Sequence, residues 1–147
     1  MSRLYPDRPF LAASVAVFRN GKVLLAKRVE GASAGKFSLP GGMVETGEGL
    51  AAASLRELKE ETGVAARMIG FVDLVEIIIH DDEERVRNHA VLAIYAAEWI
   101  SGEGETGPEA GAILWADPAM PGDIPMTAGL PEILLKAKGI VCSGGHS

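Results

Sequence analysis

Short apolar blocks alternate with glycine-rich or charged breaks along most of the chain. Residues 9–19 and 22–28 are rich in apolar and β-branched side chains, and Asn20-Gly21 between them is typical of a two-residue hairpin turn. Other apolar blocks predict further strands. We expect short strands at 37–40, 43–44 and 112–116, and long ones within 64–79 and at 85–99, the last two joined by an acidic turn at 81–84.

Two segments have the composition of helices. Residues 50–62 are mostly strong helix formers, and the following Gly63 suits a left-handed cap. A closing helix is expected over 127–138, with Pro131 in its first turn. We expect residues 1–8 to form an extended arm and residues 143–147 a disordered tail. This order of elements predicts a single domain over residues 1–147, with an α+β or α/β sandwich fold.

Composition and charge narrow the possible functions. The chain has 147 residues, of which 48% are hydrophobic and 23% charged, as in a globular domain with a full core. Its net charge of -6 argues against a general nucleic-acid or anionic-membrane surface. No apolar run reaches the roughly 18 residues of a membrane span. Cys142 is the single cysteine and no signal peptide is convincing, so we expect a cytoplasmic location.

The predicted helix at 50–62 carries three acidic residues on one side. At about 100° per residue, Glu57, Glu60 and Glu61 lie within an arc of roughly 100°, beside the apolar stripe. Like charges at this spacing repel one another, and a bound divalent cation would reverse the sign of that interaction. Taken alone, the helix is more simply interpreted as an ordinary solvated surface.

The residues around this helix resemble the signature of the Nudix hydrolases. That signature is a glycine, five residues, a glutamate, seven residues and then R-E-U-x-E-E-x-G-U, where U is apolar. Every fixed position matches in register. These positions are Gly42, Glu48, Arg56, Glu57, Leu58, Glu60, Glu61, Gly63 and Val64. The resemblance implies an α/β/α sandwich with a mixed central sheet, and Mg²⁺-dependent hydrolysis of a nucleoside diphosphate linked to another group.

The resemblance also implies roles for individual residues. The catalytic set is Glu57, Glu60 and Arg56, with Glu57 as general base and Glu60 as its competitor. Arg56 would pair with Glu48 and tie a tight glycine turn to the helix, although a base from a loop outside the signature stays open. The implied metal ligands are the Gly41 carbonyl, Glu57, Glu60, Glu61 and Glu109, with Glu105 as the alternative to Glu109. Oxygen ligands of this kind favour Mg²⁺, with Mn²⁺ as a substitute, over zinc.

Substrate contacts are harder to assign from sequence. The candidates are Arg28, Phe37, Arg87 and His89. For each of them solvation or packing competes with a substrate role, and core packing is the simpler role for Phe37. ADP-ribose, a nucleoside diphosphate sugar and a (deoxy)nucleoside triphosphate all stay open as substrates. The alternative to an enzyme is a catalytically silent Nudix-fold module that binds a nucleotide, and the hairpin strands would support a homodimer.

Overall fold

The computed structural model of the chain describes residues 4–29, 33–104 and 110–144. Strands and helices alternate along these ranges in an order close to the one expected from the apolar pattern. The elements are β1 (Phe10–Arg19), β2 (Lys22–Arg28), β3 (Phe37–Ser38), β4 (Gly41–Met43), α1 (Leu50–Thr62), β5 (Ala65–His80), β6 (Val86–Ser101), β7 (Ala110–Ala116) and α2 (Leu130–Gly144).

The strands form one mixed sheet with the main order β3-β2-β1-β6-β5. β1 runs parallel to β6, from Phe10 opposite Ala90 to Phe18 opposite Glu98. β5 and β6 are antiparallel neighbours joined by the acidic turn, as the sequence predicts. Parallel and antiparallel pairs therefore coexist, which confirms the expected mixed sheet.

One edge of β1 is shared between two partners. Beside the hairpin, Phe18 pairs with Val23 of β2. Farther along the same strand, Ser14 pairs with Gly41 of β4, while β2 pairs with β3 and β7. The short strand β4 therefore lies beside the centre of the sheet, close to α1.

The two helices cover opposite faces of this sheet. Successive side chains of a strand point to opposite faces. Val15 of β1 belongs to the buried cluster that contains Leu58 of α1. Its neighbour Ala16 belongs to the cluster that contains Leu134 of α2. β1 is thus buried on both sides, and the predicted α/β/α sandwich is confirmed.

The hairpin prediction is confirmed, whereas the predicted glycine turn is wrong. Asn20 and Gly21 have φ angles of 51° and 79°, the left-handed pair that a tight hairpin requires. Gly41 and Gly42 instead lie in β4 and pair with β1. A Cβ at Gly41 would lie 2.5 Å from the Ser14 Cβ, so close approach of two strands requires the glycine there.

Three predicted boundaries also need correction. β5 begins at Ala65, so the whole of the segment after α1 is extended. α2 runs from Leu130 to Gly144, so the predicted disordered tail is wrong for 143–144. Ile140 and Val141 extend the helix because they pack against the core on its side of the sheet. Residues 145–147 of that predicted tail lie outside the described residues.

Residues 4–8 of the predicted N-terminal arm lie beside the start of β6 but are not fully extended, and residues 1–3 lie outside the described residues. Tyr5 has a φ of 52°, and its N–H donates to the carbonyl of Arg87 over 2.8 Å. The arm therefore bends where this hydrogen bond fixes it. In the described ranges, neither helix combines the length and the apolar content needed to cross a bilayer.

Candidate active site

The carboxylates of α1 lie beside β4 because packing fixes the rotation of the helix. Ala53 and Leu58 are fully buried against the sheet. The helix ends at Gly63, which has a φ of 72° and donates its N–H to the carbonyl of Lys59, as the sequence predicts. With this face buried, Glu61 points at β4 and accepts a hydrogen bond from the Gly41 N–H over 3.3 Å.

Glu57 lies directly against the backbone of Gly42. A Cβ at Gly42 would lie 2.6 Å from the Glu57 Cδ and 2.7 Å from each of its carboxylate oxygens. Such distances leave no room for a side chain unless the carboxylate moves. The Glu57 side chain is only 12% exposed, so it is held in a narrow space between α1 and β4.

Arg56 joins α1 to the loop before it and to β4. Its Nε donates to Glu48 Oε2 over 2.7 Å, and its Nη2 donates to Glu48 Oε1 over 2.9 Å. Nη2 also donates to the Met43 carbonyl over 3.0 Å. Bidentate guanidinium–carboxylate pairs are among the stronger hydrogen-bonded contacts in proteins. The predicted Arg56–Glu48 pair is present, and it fixes the start of the helix against the strand.

The other terminal nitrogen of Arg56 faces three more carboxylates. Nη1 donates to Glu57 Oε1 over 3.0 Å and to Glu60 Oε2 over 3.1 Å. It also lies 3.8 Å from Glu45 Oε1, an ion pair that the sequence did not reveal. One guanidinium therefore faces four carboxylates, and the cluster carries an excess of negative charge.

The Arg56–Glu48 pair stabilises its own ionised form. The hydrogen bond from Arg56, and then that from the Glu45 N–H, hold the pKa of Glu48 below its ordinary value. In turn, the hydrogen bond to Glu48 raises the pKa of Arg56, and the bond to Glu57 adds to that effect. Both members of the pair are therefore charged at neutral pH.

The carboxylates of α1 are suitable ligands for a hard divalent cation, although in this structure they accept hydrogen bonds from other groups of the protein. In the described part of the chain, no three histidine, cysteine, aspartate or glutamate side chains converge as a metal cage. Glu57 and Glu60 accept hydrogen bonds from Arg56, while Glu61 accepts a hydrogen bond from the Gly41 N–H. All the donors are oxygen atoms, as Mg²⁺ and Mn²⁺ prefer, and the excess negative charge favours a cation. The residues fit the expected metal, and their role as ligands stays a prediction.

The remaining predicted residues are distributed more widely. Glu109 and its alternative Glu105 lie outside the described residues. Arg28 is exposed at the end of β2, opposite Ala110 of β7. Phe37 is partly buried and packs against the buried cluster under α2, and its role in substrate binding stays a prediction.

Arg87 and His89 lie on β6, at the end of the strand near the acidic turn. Arg87 is exposed and lines a cleft together with Tyr5 and Asp81. His89 is half-buried and lies opposite Ile78 of β5. Their described neighbours belong to the β5–β6 hairpin and the N-terminal arm. A substrate role for either residue stays a prediction.

Sequence reasoning missed one buried polar group close to β4. Ser14 is 4% exposed, and within the described ranges its hydroxyl has no hydrogen-bond partner. It lies on β1 directly opposite Gly41. Buried hydroxyl groups without a partner are uncommon in folded proteins. The available signal was a serine in the middle of an otherwise apolar strand.

A comparison with protein families agrees with the geometry of this site. A profile of the NUDIX domain matches residues 8–134. The chain belongs to the NUDIX family. The match covers β1 through the first part of α2, so it includes both the signature helix and the strands that hold it. It confirms the resemblance that the signature residues indicate.

Two relatives within the NUDIX family carry the names of pyrophosphate-cleaving enzymes. An ADP-ribose pyrophosphatase from Methanocaldococcus jannaschii is 32% identical over 108 residues, which are 74% of this chain and 61% of the relative. An RNA pyrophosphohydrolase from Novosphingobium aromaticivorans is 37% identical over 81 residues, 55% of this chain and 46% of the relative. The chain thus spans about half to three-fifths of their lengths.

Solved NUDIX structures have the same architecture. A MutT NUDIX hydrolase from Burkholderia pseudomallei is 29% identical, with a TM-score of 0.76 that covers 88% of this chain and 98% of that one. A NUDIX hydrolase from Nitrosomonas europaea is 18% identical, with a TM-score of 0.72 that covers 95% of this chain and 75% of that one. The second likeness supports the fold alone.

Proposed function

We propose that this NUDIX chain hydrolyses the pyrophosphate bond of a nucleoside diphosphate linked to another group, and that it uses Mg²⁺ or Mn²⁺. The observation that carries the proposal is the carboxylate cluster between α1 and β4. One guanidinium meets four carboxylates there, and Glu57 lies where the glycine of β4 leaves room for it. The names of the two pyrophosphate-cleaving relatives point to the same reaction class.

Glu57, Glu60, Glu61 and the Gly41 carbonyl are the groups that would hold the cation. When bound, it supplies positive charge to the diphosphate and makes water more acidic. Arg56 holds Glu57 and Glu60 in place through its Nη1, and the Gly41 N–H holds Glu61. The three side chains are therefore fixed before a substrate arrives, which is the preorganisation that catalysis requires.

We assign the general base to Glu57 and keep Glu60 as the competitor. Water attacks one phosphorus in line with the bridging oxygen, the bond from phosphorus to that oxygen breaks, and the leaving phosphate takes its electron pair. The carboxylate accepts the proton that the water loses. Glu57 is the better candidate because it is largely shielded from solvent, whereas the Glu60 side chain is 59% exposed.

The proposed substrate class is a nucleotide with a diphosphate linkage, namely ADP-ribose, a nucleoside diphosphate sugar or a (deoxy)nucleoside triphosphate. Arg28, which is exposed at the end of β2, is the proposed contact for its phosphates. Phe37, Arg87, His89 and Glu109 keep their predicted roles in substrate or metal binding. A cytoplasmic location and a homodimer also stay predictions.

A substrate panel tests the proposal. Nucleoside diphosphate derivatives are incubated with the protein and Mg²⁺, Mn²⁺ or a chelator, and phosphate is measured after coupling to a phosphatase. We expect turnover of at least one substrate, with loss of activity in the chelator. Inactivity across a broad panel contradicts the proposal. Tight nucleotide binding without turnover would instead identify the silent binding module.

A further inference from the structure

Four side chains form a clasp at the hairpin end of the sheet. The Arg19 clasp consists of Arg19, Trp99, Glu103 and Trp115. The guanidinium carbon of Arg19 lies 3.9 Å from the centre of the Trp99 ring and 5.7 Å from that of Trp115. Glu103 accepts from Nη1 over 3.0 Å and from Nη2 over 3.3 Å. Cation–π contacts with the two indole rings and the ion pair with Glu103 therefore fix the position of the Arg19 side chain.

The same clasp fixes the backbone that follows β6. Trp99 Nε1 donates to the Gly102 carbonyl over 2.6 Å, and Trp115 Nε1 donates to the Glu103 carbonyl over 3.4 Å. Gly102 has a φ of 94°, a conformation that favours glycine. The segment 102–104 is thus held by two indole groups and one ion pair.

This segment lies against the C-terminal end of α1. A Cβ at Gly102 would lie 2.6 Å from the Gly63 carbonyl oxygen and 3.0 Å from the Val64 Cα. Trp99 and Trp115 pack in the buried cluster that contains Leu58 and Val64. The clasp therefore touches the helix end through both backbone and side chains.

The helix end in question carries Glu60 and Glu61. Glu61 lies in the last turn of α1, and on its other side it accepts from the Gly41 N–H. The last turn is therefore enclosed by β4 on one side and by segment 102–104 on the other. Segment 102–104 acts on this turn through the close approach of Gly102 to Gly63, and β4 acts on it through the hydrogen bond to Glu61.

We propose that the Arg19 clasp positions the last turn of α1, and through it Glu61, for cation binding. The inference rests on the proposed function for the role of Glu61 as a ligand. The members of the clasp are positioning residues, since they act through the helix end. An exposed ion pair alone contributes little to stability, and Glu103 is 81% exposed. The indole contacts and the close approach to Gly63 give this pair its effect on the helix.

The first test compares two exposed ion pairs near the same end of the sheet. Glu103→Gln weakens the clasp, and Glu98→Gln removes the partner of Arg67, an ion pair of 2.8 Å on β5 and β6. Hydrogen exchange is measured for the amides of residues 60–64 in protein without nucleotide. We expect amide exchange to be about threefold faster in Glu103→Gln, which matches the usual free-energy contribution of an exposed ion pair. We expect no change in Glu98→Gln.

Cation binding supplies the second measurement. Mn²⁺ alone is titrated into each variant and followed by electron paramagnetic resonance. We expect affinity about threefold weaker in Glu103→Gln and unchanged in Glu98→Gln. In turnover assays the Glu103→Gln protein should require more Mg²⁺ while its KM for the nucleotide, measured at saturating Mg²⁺, stays the same.

Trp115→Phe offers an independent route to the same result. It keeps an aromatic ring and removes the N–H that donates to the Glu103 carbonyl. We therefore expect faster amide exchange at 60–64 and weaker Mn²⁺ binding, both by a smaller factor than in Glu103→Gln. Unchanged exchange at 60–64 in both Glu103→Gln and Trp115→Phe overturns the proposal, as does equal acceleration in Glu98→Gln. If wild-type protein binds no Mn²⁺ or hydrolyses nothing, the proposed function fails, and the exchange experiment still decides the clasp.

Discussion

The two helices pack against the sheet in the same way but carry different charged groups beside their apolar stripes. α1 has 13 residues and α2 has 15, and each buries a short apolar stripe against one face of the sheet. Leu58 and Leu134 are the fully buried leucines of the two stripes. Beside its stripe, α1 carries carboxylates held by Arg56. From α2, Lys136 makes an exposed ion pair with Asp73 over 3.1 Å.

Packing of a helix against this sheet therefore does not require a carboxylate cluster. Among the described residues, α2 packs on its face of the sheet and contributes one ion pair, which is of the ordinary surface kind. On α1 the acidic side chains are drawn together beside β4, where like charges oppose one another. Such an arrangement costs stability and needs another explanation, which the proposed cation site supplies.

The largest effect is expected from a carboxylate that would hold the cation. Glu61→Gln keeps the shape of the side chain and removes its charge, so kcat should fall by about 100- to 1,000-fold. Glu132→Gln, in the first turn of α2, should leave kcat unchanged. Steady-state kinetics with saturating Mg²⁺ measure both variants. Full activity in Glu61→Gln would show that α1 is no more specialised than α2.

A glycine pair gives the next contrast. Gly42→Ala places a methyl group 2.6 Å from the Glu57 Cδ, and the displaced carboxylate should lower kcat by about 100-fold. Gly139 of α2 has open space around it, so Gly139→Ala should retain activity and raise the free energy of unfolding by about 1 kcal/mol. Activity assays and denaturant unfolding distinguish the two. A fully active Gly42→Ala enzyme contradicts the assignment of Glu57.

Loss of the central arginine should affect stability. Arg56→Ala removes the bonds to Glu48, Met43 and the α1 carboxylates, and we expect the free energy of unfolding to fall by about 2–3 kcal/mol. Lys136→Ala on α2 should cost less than about 1 kcal/mol, since that pair is exposed. Urea unfolding at pH 7 measures both. Equal losses would mean that the Arg56 network is another surface ion pair.

The smallest effect is a pH dependence. The folded pKa of Glu48 lies below its ordinary value, mainly because Arg56 bonds to it. Its stabilising contribution is therefore complete above the unfolded pKa of about 4.3 and is lost as the pH falls through the folded pKa. The difference in melting temperature between wild type and Glu48→Gln should be constant from pH 8 to about 5 and shrink below that. A difference that grows in acid contradicts this sign.

The sequence predicted the parts of the site that depend on local spacing. The helix period placed Glu57, Glu60 and Glu61 together, and Arg56 was expected to reach Glu48. These relations need only the geometry of one helix and the loop before it. The hairpin at Asn20-Gly21 was equally local, since two left-handed residues define its turn.

What the sequence did not show depends on contacts between distant segments. The sequence predicts a turn at Gly41-Gly42. Only the fold reveals that β1 approaches Gly41 and that the Glu57 carboxylate of α1 approaches Gly42. Glu45 is an unremarkable loop residue until the fold brings Arg56 beside it. The Arg19 clasp joins residues 84 positions apart, which no periodicity could indicate. Such features depend on tertiary geometry that local propensity does not determine.

The parallel pairing at the centre of the sheet has a consequence for folding order. β5 and β6 are joined by a short turn, so they can pair as soon as both are present. Each β1–β6 pair instead joins residues 80 positions apart, as with Phe10 and Ala90, and such closures form slowly. β4 pairs with β1 over a much shorter separation, so the contact between Gly42 and Glu57 does not need that closure. We expect a nascent chain on the ribosome to form its β1–β2 hairpin first, its β5–β6 hairpin later, and the parallel β1–β6 pairing last.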